Sequence, residues 1–273
     1  MNRRTFAKIV VTSTLPLMAF TKKTWSVQLI RHATLILNSD DVRILIDPML
    51  SPKGALDPVA NAGNDIRIPM VDLPSSVEKI LKGIDAVFIT HTHRDHWDAE
   101  AQKVIDKSMP IFCQPADLEK IKGQGFTNVA AIEDKTVFKG ITIHRTGGQH
   151  GTGEIGQKMG TVSGYVFDKG NERIYVAGDT IWCNEVEEAL KKFKPQTTIV
   201  NAGGAQFLTG GPITMNEQDV KKVSGAVSPN TVVAVHMDTV NHCNVTRAVL
   251  KKFVLENNLT NIQIPDDGTT LTF

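Results

Sequence analysis

The sequence predicts an α+β domain in which two β-sheets pack together and helices cover them from outside. Three observations carry this expectation. Short aliphatic and β-branched runs recur through both halves of the chain. Amphipathic segments with capping signals lie among them without a strict strand–helix–strand rhythm. No Gly/Ser linker and no repeat of 20–50 residues divides the body, so one domain is the simplest arrangement. The 273 residues, 41% hydrophobic and 22% charged, are enough to bury a sizeable core.

Residues 27–31, 34–37 and 42–46 read as consecutive antiparallel strands, with Asn38-Ser39-Asp40-Asp41 as the turn between the last two. Residues 47–74 form a long stretch rich in Pro, Gly and Asn without a sustained period. A connection of that length suggests a functional loop that overhangs a site. Ser75-x-x-Glu78 is a capping box that opens a short helix through Lys82. Residues 85–90 are a buried-type strand, and Asp98 caps a helix to about residue 106. A strand at 110–113 and a helix at 116–122 come next. Further strands are expected at 128–132, 136–138, 141–145, 161–167 and 173–177. Residues 184–193 form an amphipathic helix with Val186, Leu190 and Phe193 on one face. Strands at 198–200 and 231–235 enclose a helix capped by Thr214-x-x-Glu217. Asn244 caps a last helix to about residue 256, and strands at 262–264 and 270–273 close the chain.

Residues 1–24 have a different character. Two arginines, Phe6 and Lys8 precede a mostly apolar run from residue 9 to 20, the pattern of an export leader similar to the twin-arginine type. The run is too short for a comfortable membrane span, which needs about 20 apolar residues. Met18-Ala19-Phe20-Thr21 offers no good cleavage site, so the segment reads as a leader or an N-terminal anchor, with residues 25–273 as the domain. An exported or membrane-anchored protein is expected, or a cytoplasmic one if the leader does not function. The segment also carries five basic side chains and no acid. The overall charge of +1 therefore hides a body with 25 basic and 29 acidic groups, net −4. An acidic body without a basic stripe argues against nucleic acid as a partner and for a small-molecule substrate. Three cysteines exclude a disulfide-built scaffold.

The chemistry concentrates in His91-Thr92-His93-Arg94-Asp95-His96, directly after a strand. Alternate residues His91 and His93 point the same way if the chain stays extended, and the following loop can fold Asp95 and His96 back to them. Imidazole and carboxylate suit zinc, and also iron or manganese. Without a cation, such crowding would set like charges side by side on protonation.

His-x-His-x-Asp-His after an apolar strand resembles the metallo-β-lactamase-fold hydrolases. Gly147-Gly148-Gln149-His150-Gly151, Ala177-Gly178-Asp179-Thr180 and Val235-His236 look like the family's later motifs in the right order. Ile30-Arg31-His32-Ala33 and Ile44-Leu45-Ile46-Asp47-Pro48 resemble the subgroup that includes ascorbate-phosphate lactonase and N-acyl-phosphatidylethanolamine phospholipase D. The resemblance spans about residues 25 to 273 and implies a four-layer αββα sandwich. It implies one metal held by His91, His93 and His150, a second by Asp95, His96 and His236, and Asp179 between them. The cofactors would be two divalent ions, zinc first, with manganese or iron as alternatives. Asp179 stands where the commonest true β-lactamases place a cysteine, so a lactam substrate is not favoured. His93 stands where flavo-diiron proteins have glutamate, which argues against a redox di-iron site.

The reaction so implied is attack by a metal-bridging hydroxide on a small ester, lactone, amide or phosphoester, with Asp95 ligating and orienting the hydroxide. His242 is a candidate catalytic residue, as proton donor or substrate contact, or else a histidine that hydrogen-bonds its loop. His32 is open between a place at the metals and a place in its turn, and His144, inside a strand, reads as structural. Asp47 and Asp238 are candidates to buttress imidazoles. Residues 201–205 form either a tight turn or an anion-approaching backbone. Trp182 and Phe207 line the pocket or belong to the core, and Cys243 reads as a buried or incidental thiol. Two other classes stay open: a single-iron oxygenase acting on a sulfur substrate, which carries the same His-x-His-x-Asp-His motif, and a non-catalytic binding protein on this fold.

Overall fold

The computed structural model describes residues 25–40, 42–170 and 172–273. The leader expectation falls on residues 1–24, outside the described residues. Among the described residues, no helix is long and apolar enough to cross a membrane.

Two seven-stranded sheets form the centre. The first contains β1 (Trp25–Arg31), β2 (Thr34–Ser39), β3 (Val42–Ile46), β4 (Ala86–Ile89), β5 (Ile111–Cys113), β6 (Val129–Ala131) and β14 (Thr270–Thr272), in the order β14-β1-β2-β3-β4-β5-β6. The second contains β7 (Lys135–Phe138), β8 (Ile141–Thr146), β9 (Gly164–Lys169), β10 (Glu172–Val176), β11 (Thr197–Asn201), β12 (Thr231–Val235) and β13 (Ile262–Gln263), in the order β13-β12-β11-β10-β9-β8-β7. Both are mixed. In the first, β2 runs against β1 and β3, so β1, β3, β4 and β5 are mutually parallel. In the second, β9 runs against β8 and β10, so β8, β10, β11 and β12 are parallel.

Period-two alternation sorts the side chains into layers. Val27, Leu29, Leu35, Leu37, Ile44, Ile46 and Phe88 meet Ile143, Tyr165, Phe167, Val176, Ile199 and Val235 between the sheets. Their neighbours Ile36, Leu45, Val87 and Ile89 face outward under α1 (Val77–Leu81), α2 (Ala99–Val104) and α3 (Leu118–Gly123). On the far side, Val166, Tyr175, Val200 and Ala234 lie beneath α5 (Asn184–Phe193), α6 (Glu217–Val227) and α7 (Arg247–Glu256). The order helix, sheet, sheet, helix is the expected sandwich.

Several boundaries differ from the sequence reading. Ser76 rather than Ser75 caps α1, and its hydroxyl accepts from Lys79 N at 3.4 Å. Asn216 rather than Thr214 caps α6, because the Thr214 hydroxyl is taken by Ala205 N at 2.8 Å. Thr246 rather than Asn244 caps α7. A further helix, α4 (Gly153–Met159), interrupts a glycine-rich stretch that gave no helical signal; it buries no side chain and has no side-chain cap. β9 begins at Gly164 instead of residue 161. A Cβ there would lie 2.6 Å from Thr146 Oγ1 and 2.8 Å from Val176 O, so only glycine lets the strand enter between β8 and β10.

The 47–74 connection is tied down from below. The fully buried Arg31 guanidinium donates to the carbonyls of Met49 (2.7 Å), Ser51 (2.9 Å) and Val71 (3.1 Å). Burial lowers its pKa to about 10, with Asp98, Asp267 and Asp72 opposing, so it keeps its charge at neutral pH. Further along, Val59 N donates to Asn241 Oδ1 at 2.8 Å, and Arg94 donates to Pro58 O at 2.8 Å. The segment is thereby held over the edge where the strand ends converge.

Candidate metal centre

All seven residues expected to hold metal come together at this edge. His91 follows β4, and its Nε2 lies 2.9 Å from His93 Nδ1, which in turn lies 3.3 Å from His150 Nε2. Three ring nitrogens thus meet at one point. His96 Nε2 and His236 Nε2 face each other at 3.3 Å, with Asp95 Oδ2 at 3.8 and 3.7 Å from them. Asp179 stands between these sets. Its Oδ2 is 3.8 Å from His91 Nε2, 3.5 Å from His150 Nε2 and 3.2 Å from His96 Nε2, while Oδ1 is 3.2 Å from His236 Nε2.

The remote nitrogens fix which way the lone pairs point. His96 Nδ1 donates to Asp47 Oδ2 at 2.9 Å and His150 Nδ1 to Ile213 O at 2.7 Å; both partners only accept. The Thr90 hydroxyl donates to Asp47 Oδ2 at 2.6 Å, which leaves its oxygen to accept from His91 Nδ1 at 3.1 Å. In the neutral rings the Nε2 atoms of His91, His96 and His150 therefore turn lone pairs toward the centre. Lone pairs facing one another around Asp95 and Asp179, both buried, favour positive charge between them, whether a proton on His96 or a bound cation. This donor set fits divalent metal ions.

The electrostatics agree. Burial alone would push the His96 pKa down, but Asp179, Asp95 and Asp47 outweigh it and hold it well above the usual value. Burial would raise Asp179 and Asp95, yet His236 and His96 pull Asp179, and His96 and His32 pull Asp95, well below the ordinary carboxylate range. Burial lowers His91 and His150 in spite of Asp179. Positive charge is favoured where His96 faces the carboxylates.

His32 joins this cluster, since its Nε2 donates to Asp95 Oδ2 at 3.1 Å from a fully buried ring. His242 lines the mouth. It is 6% exposed, stacks on Phe207 with ring centroids 5.6 Å apart, and its Nδ1 has no hydrogen-bond partner. Burial lowers its pKa to about 4, so the ring is neutral near pH 7. With Val59, Met159, Phe207, Ile213 and Arg94 it walls a cavity of about 200 Å³ that opens onto His93, Asp95, His150 and Asp179. A larger cavity, about 490 Å³, lies between α5 and α6 beside Trp182 and contains none of these donors.

Other expectations resolve individually. Asp47 does buttress a metal-site imidazole. Asp238 does not: its carboxylate accepts from Arg247 N at 3.2 Å and Arg247 Nη1 at 3.1 Å. Within residues 201–205 the main-chain N–H groups of Ala202, Gly204 and Ala205 donate to Val235 O, Met215 O and the Thr214 hydroxyl, so these three amides are not free to approach an anion, and the Asn201 side-chain amide donates to Asp179 Oδ1 at 2.6 Å. Phe207 lines the pocket, whereas Trp182 packs on the outer core. His144 sits against Phe193, at 4.8 Å between ring centroids, away from the donors. The Cys243 thiol faces His236 Nδ1 at 3.6 Å. Thr90 and the Ile213 carbonyl carried no signal in the sequence, since any residue's backbone or hydroxyl can serve there.

Comparison with known proteins places this geometry in context. Residues 42–237 match the family model described as beta-lactamase superfamily domain. The chain is 39% identical over 249 residues to the UPF0173 protein YddR of Bacillus subtilis, covering 89% of this chain and 98% of that one. The crystal structure of a possible metal-dependent hydrolase from Veillonella parvula superposes with a TM-score of 0.88 at 38% identity, covering 92% of this chain and all of the other. That of an isothiocyanate hydrolase from Delia radicum gut bacteria superposes with a TM-score of 0.87 at 40% identity, over 91% of this chain and 99% of that one.

Proposed function

The chain belongs to the UPF0173 metal-dependent hydrolases of the metallo-β-lactamase superfamily, and we propose that it is a dinuclear hydrolase of small, neutral electrophiles, with isothiocyanates the first class to test. The observation that carries the dinuclear reading is Asp179, one carboxylate within 3.2–3.8 Å of ring nitrogens from both donor sets. His91, His93 and His150 would hold one ion and Asp95, His96 and His236 the other. Zinc is the first choice for imidazole and carboxylate. Two cations there would supply a hydroxide at neutral pH and polarise the electrophile.

The chain's own residues select and orient. Val59, Met159, Phe207 and Ile213 exclude water and suit a compact apolar substituent. Asp95 borders the cavity, where its carboxylate can accept a hydrogen bond from the attacking water and set its direction. His242, neutral and lining the cavity, can donate a ring N–H to the heteroatom on which charge grows. For an isothiocyanate, water adds to the central carbon of N=C=S and a proton goes to nitrogen. The resulting thiocarbamic acid passes its remaining acidic proton to nitrogen as its C–N bond breaks, giving the amine and carbonyl sulfide. The support for this class is the relative named for it, together with a small apolar pocket. The resemblance of residues 30–33 and 44–48 to lactonase and phospholipase sequences puts lactones and phosphodiesters in the same assay panel.

The test is metal analysis of the metal-replete protein beside that panel. Two equivalents of metal are expected, with loss of both metal and turnover in His93→Ala. Less than one equivalent overturns the dinuclear reading. Iron alone with oxygen consumption would turn the assignment toward the oxygenase.

A further inference from the structure

We propose that His32 is a positioning residue that holds Asp95 and His236 for the second metal ion; this rests on the reading that those two side chains are donors to it. His32 occupies the turn between β1 and β2 and touches both residues in different ways. Its Nε2 donates to Asp95 Oδ2, the oxygen that also faces His96 and His236. Its ring lies against the His236 ring with centroids 3.6 Å apart. Its main-chain oxygen accepts from His236 N at 3.0 Å. One residue thus fixes a carboxylate rotamer, the plane of an imidazole and the backbone that carries it.

Ring geometry separates positioning from ligation. Imidazoles that direct their nitrogens to one point here have centroids 4.4 Å apart for His91 and His93, 5.4 Å for His91 and His150, 5.2 Å for His93 and His150, and 5.3 Å for His96 and His236. The His32–His236 pair, at 3.6 Å and 36° between ring planes, is closer than any of these, so the His32 ring packs on the face of His236. The proton on Nε2 required by the Asp95 carboxylate also leaves that nitrogen no lone pair for a metal.

The backbone supports the same conclusion. His32 has φ 59°, a left-handed conformation that costs a side-chain-bearing residue about 1–2 kcal/mol. The strain is held from both sides. The Arg31 guanidinium grips three carbonyls of the 47–74 segment, and the Thr34 hydroxyl donates to Asp47 O at 2.8 Å and accepts from Met49 N at 2.9 Å. A strained turn kept in place by such contacts is what a positioning role requires.

The experiment titrates zinc into the metal-free full-length chain against a chromophoric chelator, for wild type, His32→Gly and His32→Gln. Glycine removes the side chain and also relieves the left-handed strain, so it keeps the turn; circular dichroism of the metal-free protein checks the fold. Glutamine places an amide N–H near the Nε2 position. The expected result is one ion bound by His32→Gly as in wild type and the second bound 10–100-fold more weakly, with His32→Gln recovering most of that loss. Two ions bound by His32→Gly with wild-type affinity overturn the proposal, as does His32→Gln binding no better than His32→Gly. A wild-type chain that binds fewer than two ions overturns the dinuclear reading and this proposal with it, whereas the first two outcomes overturn only this one.

Discussion

Asp47→Asn changes one atom, and under the proposed dinuclear site it should nonetheless cost most of the affinity for an ion held by Asp95, His96 and His236. Asp47 accepts three hydrogen bonds, from Thr90 N at 2.7 Å on Oδ1 and from Thr90 Oγ1 at 2.6 Å and His96 Nδ1 at 2.9 Å on Oδ2. An asparagine amide has one oxygen to accept with and two N–H groups that only donate. If its oxygen takes the Oδ2 place, the NH₂ meets Thr90 N–H, donor against donor in a buried site. If the NH₂ takes that place, His96 must move its proton to Nε2, the atom that points at the metal. The first arrangement costs an unsatisfied buried donor, about 1–3 kcal/mol. The second replaces a metal lone pair by a proton. Loss of a carboxylate behind a ligating histidine typically weakens metal 10–100-fold, about 1.4–2.7 kcal/mol, so the two arrangements are comparable and affinity should fall by that factor in either. Chelator competition measures the affinity, and long-range ¹H–¹⁵N correlation spectra of the zinc-loaded chain report the His96 tautomer. Wild-type affinity at both sites with an unchanged His96 tautomer would refute the reasoning.

Three further outcomes follow from other contacts. His242 protonates at about 4 in the folded chain and near 6.5 when unfolded, so acid favours unfolding: its contribution is intact above pH 6.5 and is lost as pH falls toward 4. Denaturant titrations should give His242→Gln a stability profile flatter by about 3 kcal/mol over that range, from a shift of about 2.5 pH units at 1.36 kcal/mol each, and an isothiocyanate assay should show a lower kcat with metal content unchanged. Gly203→Ala would place a Cβ 2.3 Å from His236 O and 2.8 Å from Cys243 Sγ. We expect a stability loss of about 1–3 kcal/mol with weakened second-ion binding; a thermal melt and metal titration matching wild type would contradict the packing described. Tyr165→Phe removes the 2.9 Å hydrogen bond from the buried hydroxyl to Ile89 O, between the sheets at the end of β4. A loss of about 1–3 kcal/mol should appear in chemical unfolding, and a more stable variant would count against it.

The convergence of the seven candidate donors was legible in the sequence because side chains delivered from one strand end must lie close together, and His91 to His96 do so within six residues. The later ligands follow apolar runs, and a strand end is readable from composition. Contributions that depend on which face or direction a polar group takes were not legible. Asp238 has a left-handed φ of 61°, and its carboxylate goes to Arg247 rather than to an imidazole. Asn201 ends β11 in a run that reads as strand plus turn, and only the pairing of β10 with β11 brings its amide to Asp179. Helix starts slipped for a related reason. Ser75-Ser76 and Thr214-Met215-Asn216 each offer two capping side chains, and the tertiary bond of Thr214 to Ala205 decides between the second pair.

The placement of the donors follows from how deeply the strands are buried. Every residue of β4 and β11 is buried, and all but the first of β12, so a polar side chain within their length would lie in apolar surroundings without water. The charged and imidazole side chains of the site, ligands and the residues that hold them alike, sit beyond the last ladder residue. His32, Asp47 and His91 follow β1, β3 and β4 at the ends of parallel strands of one sheet; Asp179 and His236 follow β10 and β12 in the other. A chain that stayed extended at these points would carry its side chains off into solvent. Instead His32, Asp47 and His236 turn at φ 59°, 45° and 71°, and Gly178 at 72° does the same just before Asp179. Each such turn at a non-glycine residue costs about 1–3 kcal/mol and persists only where neighbours hold it, as His32 O holds His236 N and Thr34 holds Asp47. Each donor set draws on both sheets: His91 and His93 with His150, and Asp95 and His96 with His236. A cation in either set would thus tie the sheets together at the edge where His32, Asp47 and His236 hold left-handed turns and Asp95 and Asp179 are buried. For that reason the site's affinity for metal and the stability of the sandwich at this edge are one property of the fold.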